Sequence, residues 1–208
     1  MKTLQRLLCC TLLLGLSDSV MSADAGINTA GFLQRWLLLE PLKVDPRLMD
    51  SAVRETVEKA KLPGAATEVP KAGDTVKLQD STLRWHAVKT SDYNFNLYHF
   101  AHGLGLPTSN VLFWTVTVVE LPAALSNVRL AIGSNAASIW WVDGQEVISL
   151  FNDRQSVIDD GVSKRLNLTA GRHVIRAAII NGGGATDFTA RFLDDSGKPV
   201  TAGVKVAL

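Results

Sequence analysis

The sequence predicts a mainly β protein, an antiparallel β-sandwich with one helical insertion near its N-terminus. Three observations carry that expectation. Beyond residue 64, short runs rich in β-branched and aromatic residues alternate with turn signals almost to the end of the chain. Before that point a single stretch has the three- and four-residue spacing of an amphipathic helix. The 208 residues suffice for one well-buried domain and are few for two.

The first residues are set apart from that domain. Lys2 and Arg6 give a positive start, "LLCCTLLLGL" from Leu7 to Leu16 gives a short apolar run, and "SADA" supplies small residues. This order is that of a secretory signal peptide over residues 1–25, cleaved after Ala23 or Ala25, with an apolar run too short to span a membrane. The alternative is a buried N-terminal helix. Cys9 and Cys10 both fall in this segment, in a leucine-flanked setting that poorly matches a lipoprotein acylation signal. The expectation is an exported protein, periplasmic or extracellular, whose residues 26–208 form one domain without cysteine or disulfide. A net charge of +1 and the lack of any like-charge run argue against nucleic acid or anionic lipid as partner.

Taken in order, "GFLQRWLLLEPLK" (Gly31 to Lys43) reads as an apolar strand closed by Pro41. The helix follows, with Asp45 as cap and Pro46 in its first turn. Leu48, Met49, Ala52, Val53, Val57 and Ala60 form its apolar stripe, Glu55 and Lys59 pair on its outer face, and Pro63-Gly64 ends it. "STLRWHAV" and "YNFNLYHF" alternate as strands. In "VLFWTVTVVEL", Leu112, Trp114, Val116 and Val118 share one face, while Thr115 and Thr117 mark the other, so one side of this strand is expected to be buried. "NVRLAIG" and "ASIWWV" precede Asp143-Gly144, a two-residue hairpin turn in which both positions tolerate positive φ. "QEVISLF", "SKRLNL", "RHVIRAAII" and "DFTARFL" complete the series, separated by "AGR", "NGGG" and similar turns.

Several segments together resemble a known family. "GSNAASIWWVDGQEV", then "LNLTAGRHVIRAAIINGGGATDFTARFLDDSG", with "FLQRWLLLEPL" and "PKAGDTVKLQDSTLRW" upstream, are similar to the bacterial galactose-binding-like jelly-roll domains found in or beside secreted carbohydrate-active proteins. The likeness spans roughly residues 31 to 198. It implies a jelly-roll sandwich, and it places Trp141 on the family's structural tryptophan and Asp143 on its turn asparagine. Alternation then sends Trp140 to the opposite face, where its ring would either stack on the apolar face of a sugar or pack under a loop. The chain departs from the pattern at Asn135 and Ala136, where the family carries paired aspartates, and at Glu40, where glycine is common.

The densest polar loop, "FNDRQSVIDDG", offers Asn152, Asp153, Arg154, Asp159 and Asp160. With Asn135 and Trp140 these form the candidate ligand site, placed at one end of the sandwich with "NGGG" close by. The loop could meet sugar hydroxyls, or hold a structural calcium ion through hard oxygen ligands. The competing reading is a solvated loop with an internal Arg–Asp pair.

Catalytic and metal-binding motifs are weak. No G-x-S-x-G occurs, and "GDTV" at Gly73 offers a threonine with no helix behind it. His99 and His102 have a spacing that holds zinc on a helix, but they fall at a strand end with no third ligand near. Asp159-Asp160 and Asp194-Asp195 sit in turns, where neighbouring carboxylates point apart, a poor arrangement for glycoside hydrolysis. With catalytic motifs this weak, the resemblance implies a non-catalytic binding module for a carbohydrate or cell-envelope glycan, with no cofactor and no membrane span. The rival is a structural or interaction protein that keeps the fold without a sugar site and serves an exported protein partner.

Overall fold

A computed structural model describes residues 25–45 and 47–208. The expected leader, apart from Ala25, and Pro46 lie outside the described residues. In chain order the first half contains β1 (Arg35–Leu39), β2 (Leu42–Lys43), α1 (Asp50–Lys59), β3 (Thr75–Leu78), β4 (Ser81–Lys89), β5 (Phe95–Asn96) and α2 (Leu97–Gly103). There follow β6 (Val111–Leu121), β7 (Leu125–Asn135), β8 (Ala137–Val142), β9 (Gln145–Leu150), β10 (Gly161–Val162), β11 (Leu166–Leu168), β12 (Gly171–Asn181), β13 (Asp187–Leu193) and β14 (Lys205–Val206).

Two antiparallel sheets form the expected sandwich. The larger runs β3-β4-β1-β6-β12-β8-β9, with β2 and β14 also on β6; the smaller runs β10-β7-β13-β5, with β11 on β7. The spine of the larger is the long β6–β12 ladder, in register from Gly171↔Leu121 to Asn181↔Val111. Pro41 cannot donate to a ladder, and the first apolar stretch accordingly breaks there into β1 and β2. Glu40 uses the break: its carboxylate accepts the backbone N–H of Arg84 at 3.0 Å and lies 3.1 Å from Nε2 of His86.

Both faces of the large sheet are buried. On the inner face, Phe113, Trp140, Ile175 and Ile179 pack against Leu130, Ile132, Phe188 and Phe192 of the small sheet. On the outer face, Leu112, Trp114, Val116, Ile139 and Ala178 pack under Val53, Val57 and Ala60 of α1. The expectation that one side of β6 would stay open is thus overturned: Thr115 and Thr117 are fully enclosed. The Thr117 hydroxyl, a marker of solvent in the sequence, instead donates to the Arg35 carbonyl at 2.8 Å.

The helices differ from expectation in extent and number. Asp45 does not cap α1; it pairs with Arg47 at 2.8 Å, and the Leu48 carbonyl accepts the Asn152 N–H at 2.6 Å, which ties the approach segment to the β9–β10 loop. The helix begins at Asp50, whose carboxylate pairs with Arg54 one turn on. The Glu55–Lys59 pair forms as expected, at 2.6 Å. A second helix, α2, replaces most of the strand expected over "YNFNLYHF". Asn96 caps it by accepting the His99 N–H at 2.7 Å, and Leu97 and Ala101, four apart, are both buried. Only Phe95 and Asn96 remain extended, on the edge of β13.

The largest correction concerns the tryptophan pair. Alternation correctly separates their faces, but the assignment is reversed. Trp140 is 0 % exposed and sits between the sheets, its ring edge-on to Trp36 at 6.0 Å and to Phe188 at 5.7 Å. Its Nε1–H donates to Ser138 at 2.9 Å, Ser138 lies 2.7 Å from Ser134, and Ser134 donates to the Ala136 carbonyl, so the enclosed polar atoms form a closed chain. Trp141, half-buried, lies on the outer face beside Trp114, with ring centroids 5.6 Å apart. Relative alternation cannot say which face is the core when both are apolar.

The Asp143-Gly144 turn forms as expected, with φ of 51° and 81°. Asp143 anchors it to β12, accepting the Val174 N–H at 2.8 Å and approaching Nδ1 of His173 at 2.6 Å. Nε2 of His173 faces the Thr169 carbonyl at 2.9 Å. Burial opposes a charge on His173, but the hydrogen bonds to Asp143 and Thr169 outweigh it and raise the imidazole above its ordinary range. With an acceptor at each nitrogen, the ring is satisfied best as imidazolium.

Candidate functional site

The strand registers bring the expected ligand loops to one end of the sandwich. Asn135 pairs with Asp187, Ala137 with Ile180, and Ser138 with Leu150, so the exits toward Asn152 and Asn181 share that end. The charged side chains Arg154, Asp159 and Asp160 there are engaged in holding the fold. Asp159 receives a two-pronged contact from Arg191 of β13, whose Nη1 also donates to the Ala30 carbonyl and whose guanidinium lies 4.5 Å from the Phe32 ring. Arg154 pairs with Asp160 inside the loop. A Cβ on Gly133 would strike the Val157 carbonyl, so the loop rests directly on the outer face of the small sheet. Asn181 secures "NGGG" by donating to Thr108 at 2.9 Å and accepting from Gly183.

Of the residues chosen from the sequence, Asn152 and Asp153 are exposed and Asn135 is half-buried. Arg154 and Asp159 are committed to ion pairs. Trp140, enclosed between the sheets, presents no face to a ligand; burial by Trp36 and Phe188 is the reason. The calcium expectation meets the same obstacle, since the loop aspartates 159 and 160 face arginines. Among the described residues no group of three or more His, Cys, Asp and Glu is placed to hold a metal ion. His99 and His102 do lie on a helix, but His102 stacks on Tyr98 at 5.9 Å.

A different site emerges on the outer face of the large sheet. The chain from Leu62 to Pro70 crosses it as an irregular strap between α1 and β3. Arg176, in the middle of β12, reaches up to the strap, with Nη2 donating to the Ala65 carbonyl at 3.1 Å and to the Glu68 carbonyl. A cavity of about 280 Å³ remains beside it, with Trp114, Trp141 and Arg176 among its lining and Glu58 and Lys61 of the helix end at its side. Its far wall is the hairpin turn, where a Cβ on Gly144 would come within 2.7 Å of the Ala66 Cβ. Trp114 is fixed by its Nε1–H, which donates to the Ala60 carbonyl at 2.9 Å and so satisfies one of the free acceptors at the end of α1. A second cavity, about 340 Å³, lies along the strap beside Trp85, Glu68 and Asp74 and also touches Arg176. A larger hollow, about 690 Å³, follows the α2–β6 loop, lined largely by residues 105–110, with no Trp, Tyr or Phe ring and with His102, already stacked on Tyr98, at its side.

Sequence reasoning passed over Arg176. The signal was present: one arginine inside the otherwise apolar "VIRAAII" is a charge where charges are rare without a use.

No family model matches the chain, and no curated protein matches it. Among solved structures, two of a β-glucosidase from Kluyveromyces marxianus show a slight likeness: one in complex with glucose, at TM-score 0.42, and one selenomethionine-labelled, at 0.36, each 14 % identical. The matches cover 77 % of this chain and only 17 % and 15 % of those chains. Likeness that slight carries no argument about function. Among the described residues no helix is long and apolar enough to cross a membrane.

Proposed function

We propose that this protein is an exported, non-catalytic binding module of the galactose-binding-like kind, and that it takes a carbohydrate in the outer-face cavity beside Trp141. The observation that carries the reading is Trp141 itself: half-buried, backed by Trp114, and lining a cavity that also holds charged and hydrogen-bonding groups. A sugar ring has an apolar C–H face and a polar rim, and such a site offers an aromatic platform with polar groups around it. The acidic pairs support a role without catalysis. Asp159 and Asp160 are bound to arginines, Asp195 pairs with Arg165, and Asp194 accepts from Ser196 and Lys198.

Glycan binding by the chain from residue 24 onward tests this directly, read by tryptophan fluorescence on an oligosaccharide panel. Trp141→Ala is expected to abolish binding while the folded spectrum persists. Binding undiminished in that variant would move the site elsewhere; no binding to any glycan would favour the interaction-protein reading, to which exposed Val157 and Ile158 on the loop lend support. Export is tested by the mass of the secreted protein. Of the two cleavage positions, the one after Ala23 suits the fold better, because the Ala25 carbonyl accepts the Val206 N–H at 2.7 Å. An intact Met1 on exported protein would overturn the leader assignment.

A further inference from the structure

We infer that the sugar taken by this cavity carries a carboxylate, as a uronate does, and that Arg176 is the residue that recognises its charge. The inference rests on the carbohydrate reading above and narrows it.

Arg176 is only 8 % exposed. Nη2 alone carries its two hydrogen bonds, both to backbone carbonyls, and Nε is enclosed without a partner. Carbonyls orient a guanidinium but leave its charge uncompensated. The contrast with the small-sheet side is informative: Arg154 and Arg191 each face an aspartate, whereas no carboxylate lies within ion-pair distance of Arg176 among the described residues. Burial lowers its pKa, against the attraction of Glu68, yet arginine starts so far above neutrality that the charge persists. An enclosed cation with no carboxylate in direct contact, and only the more distant Glu68 to offset it, is stabilised by an incoming anion, and a planar carboxylate matches the guanidinium fork.

The neighbours agree with a sugar acid rather than a simple anion. Arg176 and Trp141 are cross-strand partners on β12 and β8, so one pyranose can rest on the indole while its carboxylate meets the guanidinium. Lys61 stands at the same cavity, held only by a 3.4 Å contact to Glu58 in which both side chains are largely exposed. The adjoining cavity suits an acid less well, because Glu68 and Asp74 match Lys71 and Arg176 there, whereas Glu58 alone stands against Lys61 and Arg176 here.

Calorimetry with digalacturonic acid and with its methyl ester tests the inference, since esterification removes the negative charge and leaves the sugar rings unchanged. The acid is expected to bind the wild type about tenfold or more tightly than the ester. That gap should close in Arg176→Met and shrink as salt rises from about 0.05 M to about 0.5 M. Equal binding of acid and ester, both lost in Trp141→Ala, would overturn the uronate inference and leave the carbohydrate reading standing. Binding of neither, with a neutral oligosaccharide bound, would do the same. If Arg176→Met fails to fold, Lys61→Gln and the salt series in the wild type decide: a gap insensitive to both overturns the inference.

Discussion

The two faces of the large sheet are both apolar, but they are covered by different means. The inner face meets a second sheet, side chain against side chain, and the polar atoms around Trp140 join in a short chain through Ser138 and Ser134. The outer face meets a ten-residue helix and an irregular strap, pinned by Arg176 and by Trp114. A sheet laid on a sheet interdigitates along its whole length, whereas a helix and a loop leave gaps at their ends. The difference teaches why a cavity stays open beside Trp141: the cover on that side is irregular.

The sharpest test of this contrast is the tryptophan pair, neighbours in sequence on opposite faces. Trp140→Ala is expected to cost roughly 3–5 kcal/mol, as a large-to-small change inside a packed core. Trp141→Ala should cost clearly less, roughly 1–2 kcal/mol, because part of its surface is already wet. Equal losses in urea melts would show that the outer layer is as tightly packed as the inner.

Gly144→Ala probes the outer layer from its rim. The residue has φ of 81°, and the added Cβ would press on Ala66 of the strap. A loss of roughly 1–2 kcal/mol is expected, from strain at positive φ together with displacement of the strap. Weakened sugar binding should accompany it; unchanged binding would detach the hairpin turn from the cavity.

A smaller effect, set by pH, comes from His173, which closes the inner layer at the hairpin end. Because folding raises its pKa, its contribution is complete below the ordinary imidazole range and is lost as pH rises through the raised value. Stability by urea melt should therefore fall as pH rises from about 6.5 through the raised value, and His173→Gln should flatten the fall. A wild type whose stability is unchanged across that range contradicts the imidazolium assignment.

The smallest expected effect belongs to Arg54, at the edge of the outer layer. It pairs with Asp50 and Glu146 and lies 5.3 Å from the Phe151 ring, all near solvent. Arg54→Ala should cost about 1 kcal/mol or less, and less still in high salt. A larger loss would mean that the helix is held to the sheet by charge more than by Val53 and Val57.

The strands were legible in the sequence because turn chemistry is local: Asp143-Gly144, Pro41 and "AGR" mark the chain wherever it is met. The burial of Thr115 and Thr117 was not, since it depends on a second layer assembled from distant segments. Helix α2 was obscured by "YNFNLYHF", whose alternation mimics a strand while Leu97 and Ala101 carry helical spacing underneath. The engagement of the expected site's charged groups was hidden for a related reason. A cluster of Asn, Asp and Arg in one loop looks available in sequence, but Arg191, which claims Asp159, arrives from a strand formed much later in the chain. The outer cavity was hidden because its platform and its cation come from different strands, paired only in the folded sheet.

In the large sheet β1, β2 and β14 all pair with β6, and the Val206 N–H donates to the Ala25 carbonyl, so the first and last parts of the described sandwich lie side by side. A domain with neighbouring ends can be spliced into a surface loop of a host protein without prying its host apart. It also tolerates being rewired: a circularly permuted chain joined from Val206 to Ala25 and opened at the exposed Gly183–Gly184 turn should refold with its cavity intact.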